Sequence, residues 1–127
     1  MLIANLLTDD LVSTRDLFVN LLNFEVEYEA DWFICLYSEG KGRVSAFRRT
    51  SEFIPKAYQK SAQGIILTIV VDDVEPYFER AQKLKLDIVE APRDLPYGQR
   101  RFLVADASGA LIDVSAPTAE LAVEFES

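Results

Sequence analysis

Residues 65–84, Ile65-Ile-Leu-Thr-Ile-Val-Val-Asp-Asp-Val-Glu-Pro-Tyr-Phe-Glu-Arg-Ala-Gln-Lys-Leu84, decide how this chain folds. Ile65 to Val71 is apolar except for Thr68, short, and rich in β-branched side chains, the makeup of a strand. After Asp72-Asp73 the spacing changes. Val74, Tyr77, Phe78, Ala81 and Leu84 recur at steps of three and four, which sets them on one face of a helix. An Asp carboxylate at the junction can accept the free N–H groups of the first turn and complement the helix dipole, and Pro76 is tolerable because it falls in that turn.

The same unit occurs once before. At an offset of 63 residues Asp9-Asp10-Leu11 falls on Asp72-Asp73-Val74, Leu21 on Leu84, and Val26 on Val89. The first Asp pair also follows an apolar stretch, Leu2 to Leu7, and precedes the stripe Leu11, Leu17, Phe18, Leu21 and Leu22. Each helix is followed by short segments of β character. These are Phe24 to Tyr28, Trp32 to Tyr37 and Arg43 to Arg49, then Leu86 to Val89, Arg101 to Ala105 and Ala110 to Val114. Gly40-Lys-Gly42 and Asp106-Ala-Ser-Gly109 supply turns before the last strands. Each half reads βαβββ, an α+β fold. A longer loop, Glu90 to Gln99, moves the final strand of the second half to an offset of 67. Module one spans residues 1–50, a linker with one helical turn 51–63, module two 64–117, and an acidic tail, helical or disordered, 118–127.

Composition narrows the chemistry. With 127 residues, 50% hydrophobic and 27% charged, the chain can bury one core and does not read as disordered. A net charge of −8 repels a nucleic-acid backbone and accommodates a cationic or neutral small partner more easily than an anionic one. No apolar run approaches the roughly 20 residues of a membrane span. No basic residue precedes Arg15, so no secretory n-region is visible and a cytoplasmic location is expected. There is no histidine, which removes Ser-His-Asp triads, Cys-His pairs and His-ligated zinc. Cys35 is the single cysteine, expected to be a small buried hydrophobe.

Two tandem βαβββ units with this punctuation resemble the vicinal oxygen chelate superfamily, which includes glyoxalase I, extradiol dioxygenases and bleomycin-resistance proteins. The most specific segment is Leu95-Pro-Tyr-Gly-Gln-Arg-Arg-Phe-Leu-Val-Ala-Asp-Ala-Ser-Gly-Ala-Leu-Ile-Asp-Val114, similar to the family's Pro-Trp-Gly-x-Arg-x-Phe…Asp-Pro-x-Gly ending. Here Tyr97 replaces the common Trp and Ala107 the Pro. The resemblance covers residues 1–117 and implies one domain of curved mixed sheets, helices on the outside, and a homodimer.

In metal-dependent members four side chains, usually His or Gln and Glu, hold a divalent ion. The resemblance carries those places to Ile3, Ala46, Ile66 and Asp113, in agreement with the offsets of 63 and 67. A slip of two residues would substitute Asn5 or Thr68. One carboxylate among such residues does not fix a catalytic cation, so neither metal nor other cofactor is expected.

Strand alternation then places Asn5, Leu7, Val44, Arg48, Thr68, Leu111 and Ser115 on the ligand face beside those four. Trp32, Phe33, Tyr37, Tyr97 and Phe102 either stack on a planar ligand or pack between helix and sheet. Asp113 either pairs with a ligand cation or already has Arg48 or Arg101 as partner. Arg100 either holds the long loop over the site or snorkels along the sheet edge. The candidate ligand-binding set is Asp113, Tyr97, Asn5, Arg48, Thr68, Ser115, Trp32, Phe102 and Arg100.

The function expected is a metal-independent binding protein of the bleomycin-resistance type, sequestering a planar or cationic aromatic compound without nucleic-acid or membrane partners. The alternatives are a lyase- or isomerase-type enzyme of the same superfamily, with Asp113, Tyr97 and Tyr37 as acid–base groups, and a regulatory module.

Overall fold

The computed structural model describes residues 1–118. Both Asp pairs cap helices: Asp10 Oδ1 accepts from the Ser13 N–H at 3.0 Å, and Asp73 Oδ1 from the Glu75 N–H at 3.1 Å. The first helix, α1 (Leu11–Asp16), widens into a π turn, Leu17–Leu21, and the second, α2, spans Val74–Lys83 with Pro76 in its first turn. Eight strands accompany them: β1 Ile3–Thr8, β2 Glu25–Glu29, β3 Phe33–Ser38, β4 Gly42–Arg48, β5 Ile66–Val70, β6 Ile88–Leu95, β7 Gln99–Ala105 and β8 Leu111–Pro117. They form two open, mixed, four-stranded sheets, ordered β1-β4-β3-β2 and β5-β8-β7-β6, so the βαβββ unit occurs twice and the fold is α+β.

Two expectations change. The loop foreseen at 90–99 is mostly strand: β6 continues to Leu95 with register shifts after Ile88 and after Glu90, and only residues 96–98 turn. Pro92 falls within the second shift on an edge strand, where its missing N–H removes no required ladder bond. The final strand runs to Pro117, three residues past Val114. The linker contains one 3₁₀ turn, Lys56–Tyr58. Of the acidic tail, residues 119–127 lie outside the described residues. No helix among the described residues is long and apolar enough to cross a membrane.

The described residues divide into two compact units, residues 1–65 with Asp106–Ala110, and residues 66–105 with 111–118. In the first, Leu17, Phe18, Leu21 and Leu22 are buried together with Leu6, Ile34, Leu36, Val44 and Ala46 of the sheet, with Phe18 edge-on to Phe24 at 5.3 Å. In the second, α2 buries Val74 and Ala81, and its Phe78 meets Phe102 edge-on at 5.4 Å above Val104, Ile112 and Val114.

The turn Asp106–Ala110 is held in the first unit by one side-chain and one backbone hydrogen bond. Asp106 Oδ2 accepts the Thr14 hydroxyl at 3.0 Å and the Ser108 N–H at 2.9 Å, while Ser108 O accepts the Ala62 N–H at 2.8 Å. Gly109 has φ +93°, and a Cβ there would overlap the Ala62 carbonyl oxygen. Gly109→Ala is expected to cost about 1–2 kcal/mol from the backbone conformation alone, with the overlap adding to it. Urea unfolding measures this; unchanged stability would mean that the turn does not hold this geometry.

Candidate functional site

Each sheet has one face under its helix and one free of it, and alternation with register tells them apart. In the first sheet the buried Leu6, Ala46 and Ile34 lie in one cross-strand row on the α1 side. The opposite face therefore presents Ile3, Asn5 and Leu7 from β1, Arg43, Ser45 and Phe47 from β4, and Phe33, Cys35 and Tyr37 from β3. Since Asn5 faces Ser45 and Thr68 faces Asp113, the counterpart of Asp113 is Ser45, at an offset of 68 (113 less 45). The sequence-based offset of 67 is one short, and that slip reverses β4: Val44, Ala46 and Arg48 do not share the open face.

What the correct register brings out is a group of rings. Phe33 and Phe47 face each other at 4.5 Å between centroids. Trp32, in the turn entering β3, lies 5.4 Å from Phe33 and 6.0 Å from Phe47, Tyr28 lies 5.9 Å from Phe33, and Phe53 covers Trp32 at 4.9 Å. Tyr28 and Phe53 are more than half exposed, so this cluster is a surface rather than a core. The next row holds Asn5, Ser45 and Cys35. Ser45 is 93% buried, and its hydroxyl makes no hydrogen bond among the described residues. Cys35, expected to be buried, is instead half-buried on this face. Beyond it, Arg43 lies over the Tyr37 ring at 4.6 Å and pairs with Glu27.

In the second sheet the face opposite α2 carries Ile66, Thr68 and Val70, Leu111, Asp113 and Ser115, and Arg101 and Leu103. Asp113 is 95% buried, and its oxygens accept the Thr68 hydroxyl and the Ser115 hydroxyl, each at 2.9 Å. Neither arginine foreseen as its partner takes that role: Arg48 donates to the Asp31 carbonyl at 2.6 Å, and Arg101 to Glu90 at 3.3 Å. Asp113→Ala would leave the fully buried Ser115 hydroxyl without an acceptor. A loss of about 1–3 kcal/mol in unfolding free energy is expected, read by chemical denaturation.

Glu90 also accepts from Arg93 at 3.1 Å, and Arg93 first, then Arg101, hold its carboxyl below the ordinary range. The pairing therefore favours the folded state above that range and is lost as pH falls through the lowered value.

Among the residues chosen from sequence, Asn5 lies on the open face of the first sheet with Trp32 at its end, and Thr68, Asp113 and Ser115 share that of the second. Phe102 does not: it is fully buried against Phe78. Arg100 is on the helix side, bonded to Glu75 of α2 at 2.7 Å and to Asp94 at 3.1 Å. Tyr97 is exposed in the 96–98 turn. Tyr28, Phe47, Phe53 and Ser45 were not singled out; Phe47 and Ser45 were hidden by the register slip, whereas Phe53 lies in the linker where no periodicity marks it.

The sequence pattern of the Glyoxalase/Bleomycin resistance protein/Dioxygenase superfamily matches residues 2–114. The chain belongs to this superfamily. Solved structures of superfamily type share its fold. A glyoxalase/bleomycin resistance protein/dioxygenase family enzyme from Burkholderia phytofirmans PsJN aligns at TM-score 0.75 and 18% identity, covering 91% of this chain and 96% of that one. TioX from Micromonospora sp. ML1 aligns at 0.69 and 23%, covering 94% and 97%. Lactoylglutathione lyase from Agrobacterium tumefaciens aligns at 0.71 and 15%, covering 91% and 92%. No curated protein matches the chain.

The places that the superfamily resemblance assigns to metal ligands are filled here by Ile3 or Asn5, Ser45, Ile66 or Thr68, and Asp113. Both oxygens of the one carboxylate already accept hydroxyls, and among the described residues no three His, Cys, Asp or Glu side chains converge. This donor set does not fit a divalent cation.

Proposed function

We propose that this superfamily member is a metal-independent small-molecule-binding protein that sequesters a planar aromatic compound, neutral or cationic, in an antibiotic-resistance-like role. The observation that carries the proposal is the half-exposed ring cluster Tyr28, Trp32, Phe33, Phe47 and Phe53 on the helix-free side of the first sheet. Flat faces held by a rigid sheet offer stacking at little ordering cost, and ring faces also attract cations. The Ser45 hydroxyl in the adjoining row, without a partner among the described residues, supports a ligand with a polar substituent, and the net charge of −8 supports a cation. The domain over residues 1–117, the homodimer and the cytoplasmic location belong to the same proposal. Exposed Ile66 and Val70 of the second unit supply apolar surface for a dimer, which light scattering would read as twice the 14.3 kDa chain.

Thermal unfolding of metal-stripped protein tests the function. A rise with an acridine dye and none with Mg²⁺, Mn²⁺ or Zn²⁺ is the expected outcome; a rise with a metal alone would overturn it. A lyase or isomerase reading draws on one specific feature, the buried Asp113 carboxylate on the open side of the second sheet. Steady conversion of a bound compound would select that reading.

A further inference from the structure

The arginines of this acidic chain are matched by carboxylates in an uneven way. Among the described residues Arg15 meets Asp16 and Glu29, Arg100 meets Glu75 and Asp94, Arg43 meets Glu27, and Arg49 meets Asp9. Each has at least one carboxylate to itself. On the open side of the second sheet the ratio is inverted: Arg93 and Arg101 share Glu90.

That sharing leaves positive charge in excess. Arg93 Nε and Arg101 Nε both approach the same oxygen, Glu90 Oε1, at 3.1 and 3.3 Å. Neither guanidinium makes a hydrogen bond or ion pair with any other residue among the described residues, so two cations have one carboxylate between them. Backbone register keeps the two forks together, because Arg93 and Arg101 are direct cross-strand partners on one side of β6 and β7. Arg93 is well exposed and Arg101 is mostly covered, which gives the pair one ordered and one reachable member. The other carboxylate on this side, Asp113, lies one strand further in and is occupied by two hydroxyls.

We infer that Arg93 and Arg101 form a binding site for a small oxyanion, the carboxylate or phosphate group of a ligand, at the β6–β7 edge of the second sheet. Each guanidinium is a planar fork of N–H donors, the shape that binds an oxyanion bidentately and most strongly. Glu90 keeps the forks aligned when no anion is bound. This site lies in the second unit and does not depend on ring binding in the first, so a failure of either leaves the other standing.

The test follows the Arg93 and Arg101 Nε–H resonances by NMR while inorganic phosphate or acetate is added to the full chain. A saturable shift of both signals is expected, with phosphate alone or acetate alone identifying the class of anion. Arg93→Gln, at an exposed position where folding is safe, and Arg101→Gln should each weaken binding about tenfold or more, whereas Arg43→Gln in the other unit should not. The overall charge of −8 suppresses unspecific anion binding, so the titration has a low background. No saturable shift with either anion, or equal affinity in Arg93→Gln and the parent protein, would overturn the inference.

Discussion

Phe102→Ala is expected to lower the unfolding free energy by about 3–5 kcal/mol, and the midpoint of thermal unfolding by about 10 °C or more. The ring is fully buried and edge-on to Phe78 of α2, so truncation opens a cavity between helix and sheet that rigid strands cannot close. Because the position looks from sequence like part of a ligand surface, the experiment separates two roles. A variant of normal stability with impaired ligand binding would show that Phe102 faces outward, contrary to this structure.

Phe47→Ala should do the reverse. Phe47 is half-buried on the open side of the first sheet, in contact with Phe33 and Trp32, and its loss removes the middle of the ring surface without emptying the core. Affinity for a planar ring should fall by about 2 kcal/mol, roughly thirtyfold. The change in unfolding free energy should stay near 1 kcal/mol, about the centre for single substitutions. Fluorescence titration and urea unfolding of the same sample give both numbers; a large loss of stability with unchanged affinity would sink the assignment.

The two variants also mark how far the chain could be read before its structure. The helices, their Asp caps and the doubling of the βαβββ unit were all legible, because each rests on local periodicity and first-turn chemistry that recur at 63 residues. The β1, β5 and β8 faces were legible too, from alternation anchored on the places that the superfamily resemblance assigns to Ile3, Ile66 and Asp113. The β4 face was not. Its register depends on the summed lengths of the turns before it, and a slip of one residue, 67 for 68, exchanged Ser45 and Phe47 for Ala46 and Arg48. Pro92 and the turn-forming Pro96 and Gly98 suggested a loop where β6 instead bends through two register shifts, and so the cross-strand pair of Arg93 and Arg101 stayed hidden. Asp113 was correctly placed among the open-side residues, but its hydroxyl partners come from β5 and from its own strand, and no spacing rule favours them over an arginine.

Trp32 is the single tryptophan of the chain and lies within the ring cluster, so intrinsic fluorescence reports directly on the proposed site. The most direct measurement is a titration of metal-stripped protein with an acridine dye, following Trp32 emission. Saturable quenching at one dye per ring cluster is expected, without added metal and without consumption of the dye, and in Phe47→Ala the same quenching should need roughly thirtyfold more dye. Emission that does not change at saturating dye, or quenching that is the same in Phe47→Ala as in the parent protein, would contradict it.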